Sequence, residues 1–250
     1  MAFRVCIVLI AAAMLFGCSP ESPGSTTSPN PPPQGSPIRV LMLTATRGFR
    51  HDSIATARDV MTTMASSGEF AVTVTEDVSA ITRASLANYD VLGFVLTTGE
   101  LPFDSAQKGA ILDFVSGVKG FVGIHSASDT LYGWPDYGTL VGAYFREHPW
   151  TQAATVLVET QSHPATAGLG DRFMLTEEFY TFRDNPQGVQ VLLRLDPSSV
   201  GAAGDYPLAW AQSFGAGRAY YNALGHFDAT WRDARFQRQV AGAIRWAAQR

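Results

Sequence analysis

Apolar residues along this chain follow two rhythms. Ile38-Arg39-Val40-Leu41-Met42-Leu43 is a short apolar run of the length of a buried strand. His51 to Ser67 then repeats Ile54, Ala57, Val60, Met61 and Met64 at helical spacing and stops at Gly68. Phe70 to Thr75 alternates as a strand, and Asp90 to Leu96 is a further apolar run after a short helical stretch. Asp104 to Val118 sets Ala106, Ile111, Leu112 and Val115 on one helical face, with Asp104 as its N-cap. Gly120-Phe121-Val122-Gly123-Ile124 reads as the next strand. Such alternation of strand and helix predicts an α/β domain, a parallel sheet flanked by helices on both faces. The second half is richer in strand. Val156–Val158, Phe173–Tyr180, Val189–Leu195, Leu208–Phe214 and Arg218–Leu224 all read extended, and Asp233 to Arg250 closes the chain as a helix packing through Val240, Ile244 and Trp246. The expectation is one domain whose later strands extend or flank the parallel sheet.

The N-terminus follows neither rhythm. Arg4 is the single charge before an apolar run from Val5 to Phe16, too short to span a membrane comfortably but suited to the core of a signal peptide. Leu15-Phe16-Gly17-Cys18 resembles the lipobox of bacterial lipoproteins, whose cysteine is diacylated and becomes the new N-terminus. The reading is a signal peptide over 1–17, a tether over 18–37 rich in Pro, Ser, Thr and Gly, and a folded domain over 38–250. It places the mature protein in the bacterial cell envelope, facing the periplasm or the exterior, with the membrane a partner only through lipid on Cys18. Cys6 leaves with the signal, so the mature chain has neither a disulfide nor a catalytic thiol. A formal net charge of -4 with scattered Lys and Arg argues against nucleic acid. The oligomeric state is not legible.

In open parallel sheets, ligands bind beyond the carboxyl ends of the strands. Polar residues gather at the predicted ends: Thr46 to Asp52 after the first strand, His125 to Asp129 after the fourth, Glu177 to Tyr180 on a later one, and Gly225 to Asp228 after the last. His51, His125 and His226 all fall in these segments. Gly123-Ile124-His125-Ser126-Ala127 has the small neighbours of a nucleophile elbow, with His125 in the elbow position and Ser126 one place out of frame. Glutamine amidotransferases carry a cysteine there, followed later by a His-x-Glu pair that His226 and Asp228 resemble. Without the thiol, amide transfer through a thioester is excluded. His148-Pro149 and His163-Pro164 read as turns.

Several spaced motifs together resemble the trehalose-utilisation (ThuA-like) family. They are His125-Ser126-Ala127-Ser128-Asp129-Thr130, Trp134, Tyr137, Leu140 to Phe145, His148-Pro149, Glu177-Glu178-Phe179-Tyr180, Asp205 to Trp210, Gly217-Arg218 and Leu224-Gly225-His226. The likeness covers 38–250. One departure is Glu177-Glu178-Phe179-Tyr180 where the family often has Asp-Glu-Trp-Tyr. The resemblance implies a flavodoxin-like, class I glutamine-amidotransferase-like fold and a link to trehalose or related disaccharides, with 3-keto-sugars among the substrates it suggests.

Two functions fit these residues. One is a carbohydrate-active hydrolase or lyase in which His125, Glu178 and His226 move protons. His51, Asp129, Trp134 and Tyr180 are its candidate substrate contacts. His51, His125 and His226, with Glu178, could also gather around a divalent metal such as zinc, although no short ligand motif marks one. The other is a noncatalytic carbohydrate-binding or accessory lipoprotein using the same cleft. Trp134, Tyr137, Tyr144 and Phe145 read as core first and sugar platform second. Asp129 reads as the cap of the helix after the elbow, and Arg218 as a partner of a carboxylate.

Overall fold

The computed structural model describes residues 1–2 and 35–250. Cys18, the signal segment and nearly all of the tether lie outside the described residues. Among those described, no helix is long and apolar enough to cross a membrane.

One mixed sheet of nine strands organises the domain, in the order β2-β1-β3-β4-β9-β8-β7-β5-β6. Its parallel half comprises β1 (Ile38–Leu43), β2 (Phe70–Thr75), β3 (Val91–Val95), β4 (Gly120–Ile124) and β9 (Gly217–Asn222). Every residue of β3 and β4 is buried, as expected of central strands covered on both faces. At the edge, β2 exposes part of its alternating sequence. The helices fall into two contacting groups. α1 (Ile54–Ala65), α5 (Asp228–Arg232) and α6 (Ala234–Ala247) cover one face, and α2 (Arg83–Leu86), α3 (Ser105–Ser116) and α4 (Pro135–Val141) the other. Asp104 caps α3 in a reciprocal capping box with Gln107.

The second half adds β5 (Phe145–Val158), β6 (Arg172–Phe182), β7 (Gln190–Leu195) and β8 (Pro207–Phe214), all antiparallel to their neighbours. The sheet is therefore parallel only from β2 to β9, and the later strands extend it as a mixed sheet. β5 is much longer than the apolar pattern predicts, because Phe145 to Ala153 is mostly exposed and carries no core signal. Pairing with β6 holds it instead. Two register irregularities, between Phe145 and Glu147 and between Glu147 and Trp150, accommodate Pro149, which has no N–H for the ladder. His148-Pro149 is thus an irregular strand segment and not a turn. His163-Pro164 does lie in a turn.

This hairpin positions the site. Only Val156–Val158 of β5 pairs with β7, which leaves the rest of β5 and β6 as a two-stranded ribbon. The ribbon lies back over the carboxyl ends of β4 and β9: Phe182 packs edge-on to Trp210 and Tyr221, and the Tyr180 ring centroid is 4.4 Å from that of His125. Among the described residues Arg218 meets no carboxylate. Its guanidinium lies over the Trp246 ring and donates to the Trp246 carbonyl.

Candidate functional site

His125 follows β4 at a backbone φ of +54°, the left-handed region that residues other than glycine seldom enter. The strand-to-turn elbow read from the sequence is therefore present, with imidazole at its apex. Tyr221 Oη donates to the His125 carbonyl at 2.7 Å and anchors the turn. The ring Nδ1 lies 2.6 Å from the Ala223 carbonyl oxygen. A carbonyl can only accept, so Nδ1 carries the proton and the lone pair of Nε2 faces inward.

His226 reaches the same point from β9. Gly225, at φ +124°, makes the bend that no side-chain-bearing residue takes without strain. Glu177, wholly buried, fixes this bend. Its Oε1 accepts the main-chain N–H groups of Gly225 and His226 at 2.8 and 2.9 Å, and its Oε2 accepts that of Glu178 at 2.7 Å. His226 Nδ1 is then 3.2 Å from His125 Nε2.

His51 precedes α1, but Ser53 occupies the N-cap position, so His51 is not the cap. It is buried and edge-on to both other rings, with centroids 4.7 Å from His125 and 5.2 Å from His226. Its Nδ1 is 3.5 Å from Ser126 Oγ. Glu178 enters from mid-β6. Its Oε2 lies 3.0 Å from His226 Nδ1 and 3.5 Å from His125 Nε2. One donor atom from each of His51, His125, Glu178 and His226 fits within 4.8 Å of all the others.

The charges follow from burial and proximity. Burial pushes the Glu178 pKa up, but the neighbouring His125 and His226 outweigh it and hold the carboxyl well below its usual range. Burial pushes His226 down, but Glu178, with Glu177 and Asp52, more than offsets this and raises it. For His51 the Glu178 charge is too weak to compensate. Burial first, then the neighbouring His125 and His226, lower it to about 3, so it stays neutral.

The remaining predicted residues fall around this centre. Tyr180 is buried with its hydroxyl 3.0 Å from His125 Nε2. Asp129 accepts from Tyr132 Oη at 2.7 Å and does not cap α4, whose N-cap is Trp134. Trp134 is buried, stacked on Tyr137 with Lys108 Nζ over its ring, and the structure does not bring it to the histidines. Ser126 is wholly buried beside His51. Asp228 pairs with Arg232 at 3.6 Å, and the carboxylate on His226 is Glu178 instead.

Two members were missed. His148 Nδ1 lies 3.3 Å from Glu178 Oε1 at the half-exposed rim, hidden in a segment whose proline read as a turn. Glu177 stood in a quoted motif, but sequence carries no mark of a carboxylate that binds only backbone. On the His226 side the cluster opens into a cavity of about 450 Å³ lined by Phe49, Asp52, Ser53, Thr176, His226, Phe227, Asp228 and Ala229.

The family model described as trehalose utilisation (ThuA) matches residues 39–247. A ThuA-like protein from Bacteroides uniformis shares 24% identity at a TM-score of 0.73, over 88% of this chain and 95% of that one. Another, from Parabacteroides merdae, shares 18% at 0.69, over 85% and 90%. A β-galactosidase from Bacillus circulans sp. alkalophilus matches at 12% and 0.56, over 84% of this chain and 31% of its own, which shows the fold alone. No curated protein matches the chain. The fold is the α/β, glutamine-amidotransferase-like one, and the chain belongs to the ThuA family, a membership consistent with carbohydrate utilisation.

Proposed function

We propose that this protein is an exported, lipid-anchored carbohydrate-active enzyme that cleaves a disaccharide or its keto derivative at the His51–His125–Glu178–His226 centre. The observation that carries the reading is the convergence of three imidazoles and a carboxylate within 4.8 Å at the strand ends. Purely binding sites need few titratable groups, and grouping them in a buried place is costly unless they do chemistry or hold an ion.

The donor set suits a divalent ion such as zinc. Imidazole and carboxylate are its usual ligands, and the Nδ1–carbonyl bond of His125 is the kind of outer contact that aims a ligating nitrogen. His51, His125, His226 and Glu178 would hold it, and a bound ion would supply Lewis-acid polarisation of a sugar oxygen.

With no ion bound, the proton chemistry belongs to His226 and Glu178, and an ion held by the same two groups would displace that proton. His226 is the more accessible of the pair, with 21% of its side chain exposed against 10% for Glu178. In the hydrolytic case, water adds its hydroxyl to the anomeric carbon as the glycosidic C–O bond breaks. The departing oxygen takes a proton from His226, and the proton released by water returns to the His226–Glu178 pair. Tyr180 and Ala223 keep His125 oriented.

The test is metal analysis of the purified protein combined with a product assay over disaccharides and 3-keto-disaccharides. Turnover of one of them supports the enzyme. Binding without product over the whole panel would replace it with a carbohydrate-binding protein.

A further inference from the structure

We infer that the cavity beside His226 is a subsite for an uncharged pyranose, and that it discriminates against phosphorylated and acidic sugars. The inference rests on the carbohydrate reading above and names the substrate class for that same site.

Four features carry it. The first is volume: about 450 Å³ lies within the range of small-ligand sites, roughly 300–1,000 Å³. The second is Phe49. The residue is 65% exposed, although a phenyl ring gains by burial. The exposure does not reflect a loose loop. Buried Thr98 donates through Oγ1 to the Phe49 carbonyl at 2.7 Å and accepts the Gly48 N–H at 3.2 Å. The ring is thus held out at the cavity mouth, edge-on to His51 at 4.8 Å. Phe227 stands edge-on to His226 at 4.5 Å and adds a second apolar wall. The apolar C–H face of a pyranose suits such rings.

The third feature is the pairing of these rings with acceptors. Asp52 and Asp228 line the same cavity with Thr176 and Ser53. Carboxylates accept hydrogen bonds from sugar hydroxyls and satisfy the polar edge of a ring whose face is apolar.

The fourth is sign. The lining holds two carboxylates, and Glu178 lies just behind His226. Among the lining residues only His226 can be cationic, and Glu178 already pairs with it. The nearby Arg232 is taken up by Asp228 at 3.6 Å. In the metal-free protein, a phosphate or carboxylate on the ligand would meet like charge with no free cation in the lining, and unpaired like charges are disfavoured.

Calorimetric titration and steady-state kinetics with trehalose and trehalose 6-phosphate test this, using wild type, Phe49→Ala, Asp52→Asn and Asp52→Lys. Phe49 and Asp52 are exposed, so the variants should fold. The expected result is that wild type binds trehalose at least about tenfold more tightly than its phosphate, that Phe49→Ala weakens trehalose about tenfold, and that Asp52→Lys narrows or reverses the preference. A KM unmoved by all three variants, or a phosphate bound as well as the neutral sugar, overturns the subsite. The outcomes separate from those of the enzyme: binding that depends on Phe49 and Asp52 without product sinks catalysis and keeps the subsite. Turnover indifferent to both residues does the reverse.

Discussion

Glu177 holds His226 without touching its ring. One oxygen of the buried carboxylate accepts the main-chain N–H groups of Gly225 and His226, and the other accepts that of Glu178. The ribbon strand that supplies Glu178 is thereby tied to the loop that supplies His226. Glu177 is a positioning residue, so its loss should disturb the cluster before it disturbs the sheet.

Glu177→Gln tests this. An amide oxygen can still accept two N–H groups, but its NH₂ would confront the N–H of Glu178, donor against donor. The expected cost is about 1–3 kcal/mol of stability, with a fall of roughly 10–100-fold in kcat/KM. Thermal unfolding and kinetics on one preparation check it. Turnover that falls only in proportion to lost folded protein would make Glu177 purely structural.

Metal affinity should depend on pH. In the metal-free protein Glu178 raises the His226 pKa, so its imidazole keeps a proton to higher pH than a free imidazole does. A ligating imidazole must be neutral, and binding therefore releases that proton. Apparent affinity for zinc should fall by about tenfold per pH unit below the His226 pKa and level off above it. Competition against a chelator from pH 8 to 5.5 measures the slope. A flat profile would remove His226 from the ligand set.

Far from the site, His163 gives a stability prediction. It is buried against Tyr220 and Trp246, its Nδ1 accepts from the Ala165 N–H, and its Nε2 has no partner among the described residues. Burial, and then Arg218, lowers its pKa to about 4. The unfolded chain takes a proton near pH 6.5 and the folded one resists until about 4, so stability is lost as pH falls through that window. His163→Asn keeps an acceptor for Ala165 and removes the titration. The fall in Tm between pH 6.5 and 4 should shrink, by an amount corresponding to about 1–3 kcal/mol. An unchanged slope would mean that other groups carry the acid sensitivity.

Anchoring is tested apart from the folded domain. Cys18→Ala should release the protein from membranes or leave it as precursor. Wild type that fractionates as soluble, with Cys18 unacylated by mass spectrometry, would contradict the lipoprotein reading.

The parallel half of the fold was legible because buried central strands such as β3 and β4 are apolar at every position and helices alternate with them. The long β5–β6 ribbon was not. Its outer residues are exposed and polar, and its stability comes from partner pairing that no local pattern records. The same distinction divides the site. His51, His125 and His226 stood out as rare titratable residues at strand ends. The geometry of Glu178 depends on the ribbon folding back, and His148 comes with it. Trp134 shows the converse. An aromatic near an elbow suggests a sugar platform, yet the α4 turn buries it on Tyr137.

The most direct test of the account is the kinetics of His226→Asn on whichever disaccharide or keto-sugar the wild type cleaves. His226 is partly exposed, so the substitution should leave Tm within a few degrees, a shift of about 1 kcal/mol or less. Removing the proton-handling imidazole should lower kcat by roughly 10²–10⁴-fold. A folded His226→Asn protein with wild-type kcat would show that the histidine–glutamate centre is not where the sugar is cleaved.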